Sequence, residues 1–424
     1  MGKRLLHTPE GVRDIYGEEF VQKLNIQERL HQKILTYGYQ SIQTPTLEFF
    51  DVFSKQVGTV SSKELYKLFD KEGNTLVLRP DFTPSIARCA AKYFMEENMP
   101  MRFCYLGNTY TNTSELQGKL KEVTQFGAEL IGDDSAHADA EMIALSIESL
   151  LNAGLTDFQV SIGEIDFFKG LCEEAGLSLE TELRLKDFIS NKNHFGAEEL
   201  LKEESVNDEY ITTILKVTDL FGNAESVSEA KKYVKNNRSL AAIDRLLQVY
   251  QILSSYELEK YVAFDLGMLS KYNYYTGVIF KIYTFGVGDA IVKGGRYDTL
   301  LVQFGKESPA IGFMIVVDDL LLALTRQGIM PEIVNKKYIM LCNELDFDPV
   351  LKLTKELRTM GKKVEIIFRD NNQSIDNYIQ FSKKQSAGYC IEYISQDHIN
   401  IYDLISGKIA QYTMDDIRKG KELS

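Results

Sequence analysis

Cysteine and histidine are scarce in this chain of 424 residues, with five of each. The cysteines (Cys89, Cys104, Cys172, Cys342, Cys390) are scattered, odd in number and form no CxxC, which argues against a zinc cluster or a disulfide framework. Four of them have apolar neighbours and read as buried thiols, while Cys172 is followed by Glu173 and Glu174. The histidines (His7, His31, His137, His194, His398) show neither HxxxH nor HExxH, so no metal site is expected. No apolar run approaches the roughly 20 residues of a membrane span. The N-terminal MGKRLLHTPEG lacks the apolar stretch of a signal peptide, so a cytoplasmic location is expected. Positive charge is also short: 48 Lys and Arg against 61 Asp and Glu give a net charge of −13. Basic runs do not exceed pairs such as Lys231-Lys232 and Lys383-Lys384. A concentrated positive surface is what a nucleic-acid backbone requires, so nucleic acid is disfavoured as a partner.

What is present is enough chain for two or three domains, free of low-complexity tracts and internal repeats. Residues 17–37 read as an amphipathic helix, with Phe20 and Leu24, then Ile26, Leu30 and Ile34, at helical spacing. NTLVL (74–78) reads as a strand entering RPDFTPSIARCAAKYF, a turn and a helix, with Thr83-Pro84 fitting an N-cap followed by proline. FCYLGNTYT and VTQFGAELIG read as two strands around the polar segment Asn112 to Glu122, which carries Ser114 and Gly118. A helix over 136–153 and a strand over 157–162 follow. From about 166 to 255 the pattern is helical, and strands resume in YNYYTGVIFKIYTF (272–285) and AIVKG (290–294), a hairpin around GVGD. SPAIGFMIVVDDLLLALTRQG (308–328) reads as a strand running into a helix. The expected fold class is α+β, a mostly antiparallel sheet with flanking helices over 1–330, interrupted by a helical insertion at about 166–255. Beyond Pro331 strand and helix alternate, which predicts a small α/β domain over 335–424 with a partly parallel sheet.

Four short pieces could carry chemistry. RPDFT (79–83) supplies Asp81 and Thr83 at a strand-to-helix turn. QFGAE (125–129) sets Gln125 and Glu129 on one face of a strand and Phe126 and Ala128 on the other. YNYYTG (272–277) supplies Tyr272, Tyr274 and Tyr275, and GGRYD (294–298) puts two glycines where backbone must approach closely. Singly, each has an ordinary explanation: a helix cap, a solvated strand face, aromatic packing, a tight turn.

In this order the pieces resemble the catalytic core of class II aminoacyl-tRNA synthetases, and within it the histidyl enzymes. QTPTLE, with Pro45, resembles motif 1; Tyr105 to Gly132 resembles motif 2; YYTGVIF and GGRYD resemble the histidine-specific segments; and PAIGF with its helix resembles motif 3. The likeness covers about 1–330, with a weaker one between 335–424 and an anticodon-binding domain. The departures bear on function. Thr111 and Thr113 stand where motif 2 has an arginine and its glutamate partner, Ser270 where a histidine-specific arginine belongs, and Asp319 where motif 3 has arginine. Adenylate formation needs cations around a triphosphate, so loss of these arginines argues against an active synthetase.

A core that keeps the amino-acid pocket and lacks the ATP arginines is similar to the regulatory subunits of ATP phosphoribosyltransferase, as are PEGVRDIY and LRPDFTPSIAR. The resemblance implies a non-catalytic chain, required for the first step of histidine biosynthesis and for its feedback inhibition by histidine. It implies dimers assembled with a short-form catalytic subunit, and no cofactor. The implied histidine-binding residues are Asp81, Thr83, Gln125 and Glu129 at the α-amino group, with Tyr274 and Tyr275 near the imidazole. The ligand carboxylate is left to backbone N–H groups or to a cation elsewhere. The subfamily is expected to end near the core, which leaves 335–424 without a role. The alternative is a divergent histidyl-tRNA synthetase or other amino-acid-activating enzyme.

Overall fold

The computed structural model describes residues 6–53, 61–113, 120–270, 274–330, 337–370 and 372–418. Tyr272, Ser114 and Gly118 lie outside them. The chain divides into two units, Met1–Asp14 with Ile26–Met330, and Ile15–Asn25 with Pro331–Ser424. Helix α1 (Gly17–Leu35) belongs to both. Its stripe divides accordingly: Ile26, Leu30 and Ile34 are fully buried, whereas Phe20 and Leu24 are 45% and 47% exposed.

In the first unit the elements follow as β1 (Gln40–Ser41), β2 (Leu47–Phe49), β3 (Lys67–Phe69), β4 (Thr75–Leu78), α2 (Thr83–Tyr93), β5 (Met101–Tyr110) and β6 (Glu122–Ile131). Then come α3 (Ala136–Ala153), β7 (Phe158–Glu164) and the helices α4 (Ile165–Glu174), α5 (Leu179–Ser190), α6 (His194–Glu203) and α7 (Asp208–Thr218). The short strand β8 (Phe221–Gly222) precedes α8 (Ala224–Ala230) and α9 (Asn237–Ser255). The last elements of the unit are β9 (Val262–Asp265), β10 (Val278–Thr284), β11 (Val292–Arg296), β12 (Ala310–Val316) and α10 (Val317–Gln327).

Nine strands form one sheet in the order β1-β5-β6-β12-β11-β10-β7-β9-β8, antiparallel from β5 to β7. Alternation gives β6 two different faces. Phe126, Ala128 and Leu130 are fully buried in a large apolar core with α3 and Ile26, Leu30 and Ile34 of α1. Gln125, Gly127 and Glu129 face the other way, where Phe82, just before α2, Ile86 of α2, and Phe103 and Tyr105 of β5 contribute to a second, smaller core. Both faces are therefore covered, and the polar pair on β6 is buried: Gln125 is 7% exposed and Glu129 1%. Covering by α2 removes the solvated-face explanation. The strand expected from residue 272 begins only at Val278, and Tyr274 to Gly277 form an irregular connection ahead of it. The cysteines are buried apart from Cys89, which is half-buried, and Cys172 is among the buried ones.

The second unit adds β13 (Lys337–Cys342), α11 (Phe347–Thr359), β14 (Lys363–Phe368), α12 (Ile375–Lys384), β15 (Ala387–Ser395), β16 (His398–Asp403), β17 (Ile409–Tyr412) and α13 (Met414–Arg418). Its sheet, β14-β13-β15-β16-β17, is parallel on both sides of β13 and antiparallel from β15 onward. Among the described residues no helix is long and apolar enough to cross a membrane.

Candidate functional site

The turn from β4 into α2 departs from the expected cap. Thr83 is already the first helical residue, and Phe82 precedes it without a side-chain capping bond. Asp81 Oδ1 accepts from the Thr83 N–H at 3.2 Å, so the carboxylate two residues upstream meets that otherwise unpaired amide. The Thr83 hydroxyl is thereby released to donate to Glu129 Oε1 at 2.8 Å. Glu129 Oε2 accepts from Tyr297 at 2.5 Å. Between Glu129 on β6 and Tyr297 after β11 runs β12, whose Gly312 pairs with Glu129. A Cβ at Gly312 would lie 1.6 Å from Glu129 Oε2, so only glycine leaves room for the carboxylate.

The residues of GGRYD hold Tyr297 in place. Arg296, nearly fully buried, donates to Asp139 Oδ1 through Nε (2.9 Å) and Nη2 (2.6 Å) and to Asp298 through Nη1 (3.1 Å). Arg245 donates to the other oxygen of Asp139 at 2.6 Å. Burial still holds the Asp139 carboxyl above its ordinary value, against the pull of the two guanidinium groups. Arg79 of RPDFT is spent on structure: it donates to the Thr44 carbonyl at 2.8 Å and lies over the Phe82 ring at 3.8 Å.

Above this floor lies a small cavity of about 30 Å³ that opens towards solvent. Asp81, Thr83, Gln125, Tyr274 and Tyr275 line it. Glu129 lies behind them, held by Thr83 and Tyr297. Tyr274 donates to Asp81 Oδ2 at 3.2 Å, and its ring meets Tyr275 edge-on at 4.8 Å. Tyr297, which also lines the pocket, escaped the sequence reading: GGRYD drew notice for its glycines, and only the register across β12 reveals that its tyrosine reaches Glu129.

Around Asp81, Gln125 and Glu129 the electrostatics are set by burial, with Thr83, Tyr274 and Tyr297 as the donors to the two carboxyls. Burial pushes the Glu129 carboxyl up to about 8, and nearby Asp81 pushes the same way against the hydrogen bonds from Tyr297 and Thr83. Burial raises the Asp81 carboxyl too. Gln125 Oε1 is buried with no hydrogen-bond partner among the described residues. Buried acceptors left unpaired cost free energy until a donor arrives. A ligand with several N–H groups and a positive charge would pair Gln125 Oε1 and favour the charged forms of Asp81 and Glu129. At the departures from the synthetase pattern, Thr111 follows the end of β5, Ser270 is buried and Asp319 is half-buried in the first turn of α10. None of them lines the pocket among the described residues. The same residues hold no group of histidine, cysteine and carboxylate side chains suited to a metal ion.

A sequence model described as histidyl-tRNA synthetase matches residues 11–320. The ATP phosphoribosyltransferase regulatory subunit of Acetivibrio thermocellus is 36% identical over 99% of this chain and 100% of its own length. The chain belongs to the family of ATP phosphoribosyltransferase regulatory subunits. Another of these regulatory subunits, from Ruminiclostridium cellulolyticum, is 37% identical over 95% of this chain and 96% of its own. Membership places the chain among regulatory rather than catalytic subunits. A solved structure from Bacillus halodurans C, described as an ATP phosphoribosyltransferase regulatory subunit/histidyl-tRNA synthetase, superposes with a TM-score of 0.80 at 31% identity, covering 90% of this chain and 96% of that one. Histidyl-tRNA synthetase from Nostoc shares the fold, with a TM-score of 0.82 at 20% identity over 98% of both chains. The class II synthetase-like architecture expected from the motifs is the architecture of this chain. The Acetivibrio relative matches through the C-terminal unit as well, so that unit does not set this chain apart from it.

Proposed function

We propose that the chain binds free histidine in the pocket above Glu129 and transmits its occupancy to a short-form ATP phosphoribosyltransferase catalytic subunit, with which dimers of this chain assemble. Asp81, Gln125 and Glu129 receive the α-ammonium group, Thr83 positions Glu129, and Tyr274 and Tyr275 flank the imidazole. The observation that carries the reading is the unpartnered Gln125 Oε1 beside two buried carboxyls held above their ordinary values. An ammonium group supplies both the donors and the charge that this arrangement lacks. The family's name supports a catalytic partner. Thr111, Ser270 and Asp319, at positions where the synthetases carry arginine, support the absence of amino-acid activation. Regulation is then a coupling between sites on two chains, typically about 1–3 kcal/mol.

The test mixes the purified chain with the short catalytic subunit from the same genome. The expected result is co-elution, phosphoribosyl transfer that depends on the complex, and inhibition by histidine. Glu129→Ala and Tyr274→Phe should weaken the inhibition and leave assembly intact. Failure of the two chains to associate or to alter activity refutes the proposal. Histidine-dependent exchange between ATP and pyrophosphate would favour an activating enzyme instead.

A further inference from the structure

Asp81, Gln125 and Glu129 offer acceptors, and an α-amino acid also carries a carboxylate that such a floor repels. Among the described residues lining the pocket, Lys293 is the single cation. Strand register explains its placement. Lys293 pairs with Met314 and Gly295 with Gly312 across β11 and β12. Met314 in turn pairs with Gly127, and Gly312 with Glu129, across β12 and β6. Lys293 thus stands two strands and two residues from Glu129 on the same face, about 12 Å between Cα atoms from strand spacing and rise. Of the intervening positions in those two rows, Gly127, Gly312 and Gly295 put no side chain in the way and only Met314 does.

Lys293 Nζ is paired with Asp289 Oδ2 at 3.0 Å, and the two side chains are 24% and 49% exposed. A pair this open shifts an equilibrium by about fivefold or less, so a ligand carboxylate can displace Asp289 at little cost. Lys281 stands opposite Lys293 on β10, and its like charge favours an added anion there.

We infer that Lys293 binds the α-carboxylate of the amino acid in this pocket, exchanging Asp289 for it, and so takes the place of the synthetase arginines. The inference rests on the histidine reading above. Titration calorimetry of the full chain compares histidine with histidinol, which keeps ammonium and imidazole but has a hydroxymethyl group for the carboxylate. The wild type should prefer histidine by about tenfold or more, as for a charge-assisted contact. Lys293→Met should weaken histidine by about tenfold and leave histidinol within about twofold, and Lys293→Arg should restore most of the preference. Unchanged histidine affinity in Lys293→Met, or an equal loss for both ligands, overturns the inference and leaves the histidine reading standing. Equal wild-type affinity for the two ligands does the same. A wild type that binds neither refutes the histidine reading, and this inference with it.

Discussion

Tyr297 donates its hydroxyl to Glu129 Oε2 at 2.5 Å across an intervening strand, through the space left by Gly312. Tyr297 is itself buried, and burial together with the Glu129 charge keeps its phenol protonated, hence a donor, far above neutral pH. Replacing it by phenylalanine leaves the carboxyl oxygen without that donor. Tyr297→Phe should therefore cost about 1–3 kcal/mol of folding stability, the usual penalty for stranding a buried polar group. Urea denaturation measures it, and an unchanged midpoint would mean that water replaces the phenol.

Glu129 also predicts how stability depends on pH. Its carboxyl titrates at about 8 in the folded chain, against 4.5 for an ordinary glutamate. The folded state then holds a proton that the unfolded state gives up, so this contribution is complete below about 4.5 and is lost as pH rises towards 8. The slope from one such group is at most about 1.4 kcal/mol per pH unit. Glu164, whose carboxyl burial pushes to about 8 as well, acts in the same sense. Glu129→Gln should make the decline between pH 5 and pH 8 shallower by about one group's share, without abolishing it. Chemical denaturation at several pH values gives both slopes, and parallel slopes would place the Glu129 titration outside this window.

Much of the fold was legible in the chain because alternation and turn residues are local. The pairing of Phe126 with Ala128 on one face of β6, and of Gln125 with Glu129 on the other, follows from the period of a strand. Whether that second face met water was not legible, because the answer depends on α2 lying across it. Thr83 illustrates the same limit at shorter range. Thr83-Pro84 has the form of a cap, but the threonine hydroxyl bonds Glu129, 46 positions away in the chain, and Asp81 accepts the helix amide instead. Lys293 had no motif around it to mark it, and its place in the pocket emerges only from three strands held in register.

The same carboxyl couples ligand binding to protons. With its carboxyl pushed up to about 8 by burial, Glu129 is mostly protonated at pH 7. An ammonium group arriving beside it favours the charged form, as any nearby opposite charge does. Histidine binding at pH 7 should therefore release a proton, up to about one per ligand. Calorimetry in buffers of different ionisation enthalpy reads this directly, since the observed heat then varies with the buffer by the number of protons transferred. Glu129→Gln has no proton to give, and any histidine binding it retains should show a smaller buffer dependence. Equal buffer dependence in the two proteins would mean that the ammonium does not sit within the field of Glu129, and the orientation of the amino acid in the pocket would have to be reversed.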